Sequence, residues 1–222
     1  MRKLSLFIGL TVFALAGAAR AQEETPAPAP TVDPETPAAV APAASESKMR
    51  VGLNFLPMLM GKVGTGETKD LAWADLKTAY GVGLVFGYKV IDGLSVGVAP
   101  QILFNVKGKD DTSGASKEWD LLARIAYEYT VMPKLDVYAE VLPGYTIVQF
   151  ASGRSFMGET PPNPKGFAIG FGAGAAYDLT DQFFANLGVG YQMNFTQFSV
   201  GGSDLANRTK YLRIALGGGM KF

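Results

Sequence analysis

The chain has 222 residues, with 20 Lys and Arg against 20 Asp and Glu, so no basic excess exists to neutralise nucleic-acid phosphates. It contains neither Cys nor His, which excludes disulfides, thiol nucleophiles, Ser-His triads and metal sites ligated by Cys or His. Hydrophobic residues make up 48%, but they are dispersed, and beyond the N-terminus no apolar run is long enough for a membrane-spanning helix.

Residues 1–21 read as a secretory signal. Arg2 and Lys3 supply the positive start, Leu4 to Ala18 a short apolar segment, and Ala19-Arg20-Ala21 a small-x-small cleavage site. Residues 22–48 are rich in Pro and Ala with scattered acids. That composition cannot bury a core, and it predicts a disordered, extended spacer.

From Met49 the texture changes to period two, and eight strands are expected by Phe222. Alternation of this kind marks strands whose two faces meet unlike surroundings. In chain order the apolar faces carry Val51, Leu53 and Phe55; then Tyr80, Val82, Leu84, Phe86 and Tyr88; then Leu94, Val96, Val98, Ile102 and Phe104. The fourth carries Trp119, Leu121, Ile125, Tyr127 and Tyr129, and the fifth Leu135, Val137, Val141, Tyr145 and Ile147. Phe167, Ile169, Phe171 and Tyr177 form the sixth; Phe183, Leu187, Val189, Tyr191, Met193 and Phe195 the seventh. The last strand presents Leu212, Ile214, Leu216, Met220 and Phe222.

The connections alternate in length. Ile91-Asp92-Gly93, Met132-Pro133-Lys134 and Thr180-Asp181-Gln182 are tight turns, whereas Met60–Lys77, Gly108–Ser116, Ala151–Pro164 and Gly201–Asn207 read as longer loops. Short turns at one rim and long loops at the other are the pattern of a transmembrane barrel, the short side being periplasmic. Aromatic residues of the apolar face gather at both ends. Tyr88, Tyr129, Tyr177, Phe183 and Phe222 lie near the short turns or the C-terminus, and Tyr80, Phe104, Trp119, Phe167 and Phe195 near the long loops. These form two girdles at the lipid–water boundaries. Trp119 to Tyr129, and Phe167 to Tyr177, are each ten residues apart. With a rise of roughly 3.3 Å per residue and a tilt of about 40°, that spans about 25 Å of depth.

The polar face must then point inward. It carries Arg50, Glu118, Asp120, Arg124, Glu128, Asp136, Glu140 and Arg213, with Asp178, Lys221, Asn54, Gln101, Asn105, Asn186, Gln192 and Asn194. Both signs are present, so mutual pairing is expected, because an unpaired charge there is costly. Inward glycines concentrate on the second, sixth, seventh and eighth strands. Arg124, Glu128, Tyr138 and Glu140 are therefore expected to reach across and pack over a glycine wall, with Arg213 as the opposing cation. Asp110-Asp111 lacks the spacing of a calcium loop. Gly170-x-Gly172-x-Gly174 lies within a strand and opens no helix, so it is no nucleotide loop. The paired acids Glu128 and Glu140 read as structural, and no catalytic residue, cofactor or metal is expected.

Strand count, loop asymmetry, girdles and the terminal Phe222 together resemble the small outer-membrane β-barrel superfamily of Gram-negative bacteria, OmpA-like and OmpX-like, over Met49 to Phe222. The resemblance implies an all-β fold: a closed, eight-stranded, antiparallel up-and-down transmembrane barrel in the outer membrane, without a peptidoglycan-binding domain. It implies that the insertion machinery reads Phe222 and the alternating Met220, Leu216, Ile214 and Leu212, with Gly218 departing from the pattern. The implied partners are outer-membrane lipid and lipopolysaccharide, with an unknown surface ligand for the loops. The implied function is non-enzymatic, in envelope structure or surface contact through those loops; the alternative is a narrow passive channel, a small porin.

Overall fold

A computed structural model describes residues 47–67, 69–111, 114–155 and 158–222. The expected signal at 1–21 and nearly all of the spacer at 22–48 lie outside them. Ten strands follow in order: β1 (Met49–Glu67), β2 (Asp70–Asp75), β3 (Ala79–Ile91), β4 (Leu94–Val98), β5 (Gln101–Val106), β6 (Ser116–Met132), β7 (Leu135–Gln149), β8 (Lys165–Asp178), β9 (Phe183–Val200) and β10 (Ser203–Lys221). All pairings are antiparallel, each barrel strand lies beside its sequence neighbours, and β1 closes on both β3 and β10. β4 and β5 together make one barrel strand between β3 and β6, and β2 lies outside the ring, so the ring has eight members. The seam is finished by Met49 N–H donating to Phe222 O (3.1 Å) and Phe222 N–H to Met49 O (2.9 Å). Closure of this kind leaves no unpaired edge at membrane depth, where hydrocarbon offers no hydrogen bonds.

The apolar residues named above face outward, and the large ones among them are mostly exposed, including Leu53, Leu84, Leu121 and Leu187. Lipid takes the place that a protein core takes elsewhere. Among the described residues no helix is long and apolar enough to cross a membrane; the crossing is made by strands.

Four features depart from the sequence expectation. The first long loop, Met60–Lys77, is largely strand: β1 runs on to Glu67 and is flanked there by both β2 and β10. The Gly201–Asn207 connection is a two-residue turn, because β9 reaches Val200 and β10 starts at Ser203. Gly201 and Gly202 adopt φ of 59° and 77°, the positive pair that matches strand twist in a tight hairpin. A four-stranded tongue, β2-β1-β10-β9, therefore rises on the long-loop side. Third, Asn105 does not enter the lumen. It sits at a bulge between Leu103 and Val106 with φ of 61°, and its Nδ2 donates to Thr78 O at 2.9 Å. The extra residue shifts the alternation, so that buried Val106 points inward instead. Fourth, Pro100 interrupts the third barrel strand. The ladder survives because Ala99 N–H still donates to Leu122 O (2.8 Å) and Leu84 N–H to Pro100 O (2.9 Å); only the missing proline donor is lost.

Candidate functional site: the barrel lumen

The inward face of the eight strands brings most of the sequence-derived polar residues into one column, bonded from Arg50 to Tyr211, with the Lys221–Asp178 pair apart from it and Asn54 and Asn186 lining the cavity beside Arg50 and Arg124. At the short-turn end Lys221 pairs with Asp178. Arg50 on β1 holds Glu128 at 3.1 Å and Asp136 at 2.5 Å, and Thr130 donates to the other Asp136 oxygen at 2.6 Å. Next comes Arg124, whose Nε donates to Glu140 Oε2 (2.8 Å) while Nη1 reaches Ser95 (3.1 Å) and Glu128 (3.3 Å). Glu140 is shared: its Oε1 takes Arg213 Nη2 from the far wall at 3.1 Å.

Arg213 hands the column on. Its Nη1 donates to Gln101 Oε1 at 3.1 Å, and Gln101 Nε2 donates to Asp120 Oδ2 at 2.6 Å and to Gln192 Oε1 at 2.9 Å. Gln192 bonds the same Asp120 oxygen (2.9 Å) and Asn194 Oδ1 (3.1 Å). Asn194 then donates to Glu118 Oε1 at 2.6 Å, joined by Tyr211 Oη at 3.0 Å, with Thr209 on Oε2 at 3.1 Å. Glu118 is fully buried and is met by three neutral donors, which replace the water it lost.

The long polar side chains lie over glycine. A Cβ added at Gly174 would stand 2.5 Å from Tyr138 Oη, and one at Gly188 would stand 2.6 Å from it. Glu140 covers Gly172 in the same way, 3.2 Å from an added Cβ. Arg124 lies over the Tyr138 ring at 5.4 Å and Arg50 over Phe184 at 5.9 Å. Gly188→Ala is therefore expected to destabilise the barrel by about 1–3 kcal/mol through overpacking. Pairing it with Tyr138→Ala should remove the clash, so the double variant falls short of the sum of the singles in urea unfolding.

The lumen also holds apolar layers that the polar pattern did not disclose. Leu56, Met58, Ala79, Leu103, Val106, Tyr211 and Ala215 form one cluster, and Ala99, Leu122, Leu142 and Ala168 with Val85 another. A cavity of about 60 Å³ lies beside Arg50, Arg124, Tyr138 and Glu140, and one of about 300 Å³ lies at the long-loop mouth among Val63, Leu76, Ser116, Phe150 and Thr209.

The aromatic residues expected to form the girdles stand at the two ends of the outer face. Tyr88, Tyr129, Tyr177, Phe183 and Phe222 are exposed at one end and Tyr80, Trp119, Phe167 and Phe195 at the other. Half-buried Phe104 packs on Tyr80 at 5.9 Å, and Phe167 stacks on Phe195 at 6.5 Å. Asp111 of the acidic pair is held by Arg154 at 2.8 Å. Among the described residues no cluster of three or more Asp or Glu is placed to hold a metal.

The sequence model described as "Outer membrane protein beta-barrel domain" matches residues 36–222. No curated protein matches the chain. Among solved structures, the outer membrane protein OprG from Pseudomonas aeruginosa is similar with a TM-score of 0.56 at 18% identity, covering 79% of this chain and 96% of its own. Neisserial surface protein A (NspA) is similar with a TM-score of 0.50 at 14% identity, covering 78% of this chain and 97% of its own. At such identities the likeness is one of fold. With a closed eight-stranded ring, an apolar exterior and a match over residues 36–222, the chain belongs to the outer membrane protein β-barrel domain family and is a protein of the outer membrane.

Proposed function

We propose that this protein is non-enzymatic and that its barrel is a plugged support, serving envelope structure or surface contact through the tongue and loops of the long-loop side. The observation that carries this reading is the continuous column from Arg50 to Tyr211, reinforced by two apolar layers across the same lumen. A rigid, filled interior holds the rim elements in fixed relation without offering a path. Residues 1–21 act as the secretion signal and 22–48 as a periplasmic spacer. Phe222 ends the strand that the insertion machinery reads, and the girdle aromatics seat the barrel among outer-membrane lipid and lipopolysaccharide.

The competing reading is a narrow passive channel, and it draws on the glycine wall and the cavity of about 60 Å³ beside it. Purified full-length protein in a planar bilayer separates the two. No stepwise conductance above the lipid baseline is expected. Reproducible single-channel steps would replace the plugged support with a small porin.

A further inference from the structure

The charges inside the barrel do not balance along its length. From the short-turn end to mid-barrel, Arg50, Arg124 and Arg213 meet Glu128, Asp136 and Glu140, and Lys221 meets Asp178. Towards the long-loop end Glu118 and Asp120 are left over. They are alternate residues on the inner face of β6, about 7 Å apart along the strand, and both are buried. The hydrogen bonds they accept come from neutral donors: Gln101 and Gln192 on Asp120, and Asn194, Thr209 and Tyr211 on Glu118. Arg213 acts on Asp120 only as a charge beyond Gln101. Neutral donors replace hydration, but they leave two like charges side by side in a packed interior, which is costly without a cation.

The atoms around this pair point to what supplies the missing charge. Among the described residues, Asp120 Oδ1, Thr146 Oγ1 and Ser116 Oγ are buried and close no hydrogen bond. Thr146 stands opposite Asp120 in the β6–β7 ladder, is wholly buried, and turns its hydroxyl towards that carboxylate. Glu118 Oε2 accepts Thr209 and keeps a further lone pair. The positions left open are thus all oxygen, the donor set of a hard cation. There is also a way in. Ser116, two residues before Glu118 on the same face, lines the mouth cavity of about 300 Å³, and so does Thr209, the donor to Glu118. An ion arriving from the long-loop side reaches the pair past these two hydroxyls.

We propose that Glu118 and Asp120, with the Thr146 hydroxyl, bind one calcium-sized divalent cation that enters from the long-loop side. Its two positive charges match the two carboxylates that lack an ionic partner. Calcium suits the place better than magnesium, because it tolerates irregular oxygen geometry and gives up its water more readily. Bound there, it ties β6 to β7 beneath the mouth cavity and makes the long-loop end of the plug responsive to external calcium.

The test uses the full chain folded in dodecylmaltoside micelles and stripped of metal with EGTA. Calcium is titrated calorimetrically. Terbium, a calcium substitute, is read by emission sensitised through Tyr211, which lies 3.0 Å from Glu118. A single saturable site is expected, with terbium displaced by calcium and not by sodium at equal concentration. E118Q/D120N should bind at least about tenfold more weakly, since both ligand charges are gone. Its midpoint in urea should stay fixed when calcium replaces EGTA, whereas that of wild type should rise. T146V keeps both charges and should also lose affinity; D181N, at an exposed short turn, should change nothing. Heat-sensitive gel migration confirms that each variant is folded, and if E118Q/D120N lacks it, T146V decides the matter. Absence of saturable binding, undiminished binding by folded E118Q/D120N or by T146V, or displacement by sodium would each overturn the site. So would a wild type that ignores calcium and gains stability only on acidification, in which case protons take the cation's place.

Discussion

Glu140→Ala is expected to destabilise the barrel by about 3–5 kcal/mol, the range for stripping one partner from a buried ion pair. Glu140 sits between two guanidinium groups, at 2.8 Å from Arg124 and 3.1 Å from Arg213, and the three side chains are about nine-tenths buried. The loss does not fall equally on the two arginines. Arg124 keeps Glu128 at 3.3 Å and Ser95 at 3.1 Å. Arg213 loses its one hydrogen-bonded carboxylate and keeps Gln101, a neutral acceptor, with the charge of Asp120 beyond it, so most of the penalty falls on Arg213. Removing the Arg213 charge as well, in Glu140→Met with Arg213→Met, should recover much of the loss. Equilibrium urea unfolding in phospholipid vesicles, followed by tryptophan fluorescence, measures both. A single variant within about 1 kcal/mol of wild type would mean that water reaches Arg213 freely and that the column is not a dry plug.

Ile125→Arg should cost about 2–4 kcal/mol, for the opposite reason. Ile125 lies near the midpoint between Trp119 and Tyr129 on β6 and is 48% exposed on the outer face. It is the immediate neighbour of Arg124, which the lumen accommodates with two carboxylates and a serine. One step along the strand moves the same guanidinium from that set of acceptors into hydrocarbon. Tyr127→Arg, closer to the short-turn girdle, should cost less, because a long side chain can extend to the headgroups from there. The same vesicle titration reads the difference. Equal costs at Ile125 and Tyr127 would contradict the assigned depth.

The two positions also show why so much of this fold can be read from the chain. Outward residues are apolar wherever lipid must be met, so a period of two exposes strand identity, face and depth together, and the girdles calibrate the height. The lumen is less legible because it accepts either kind of side chain. Leu121 and Leu122 look alike in the sequence, yet Leu121 faces lipid and Leu122 is wholly buried within. Two adjacent apolar residues in an alternating strand are the available sign of an apolar inner layer. Parity places Asn105 inward, but the bulge that turns it away rests on one left-handed residue, which composition does not announce. The tongue was hidden by its glycines and charges. Met60 to Lys77 has the texture of a loop, but β10 and β2 supply backbone partners on both sides, and ladder hydrogen bonds override weak local preference.

The seam between β1 and β10 has a consequence for assembly. Each of the other wall contacts joins segments close in sequence and can form as a local hairpin, whereas this one joins Arg50 to Lys221 and carries the largest loop-closure entropy in the ring. It is therefore the slowest to zip. Until it does, the half-made cylinder is a curved ribbon with two raw margins of peptide groups, a form that hydrocarbon cannot host. Entry into the bilayer is therefore expected to be coupled to the pairing of β1 with β10.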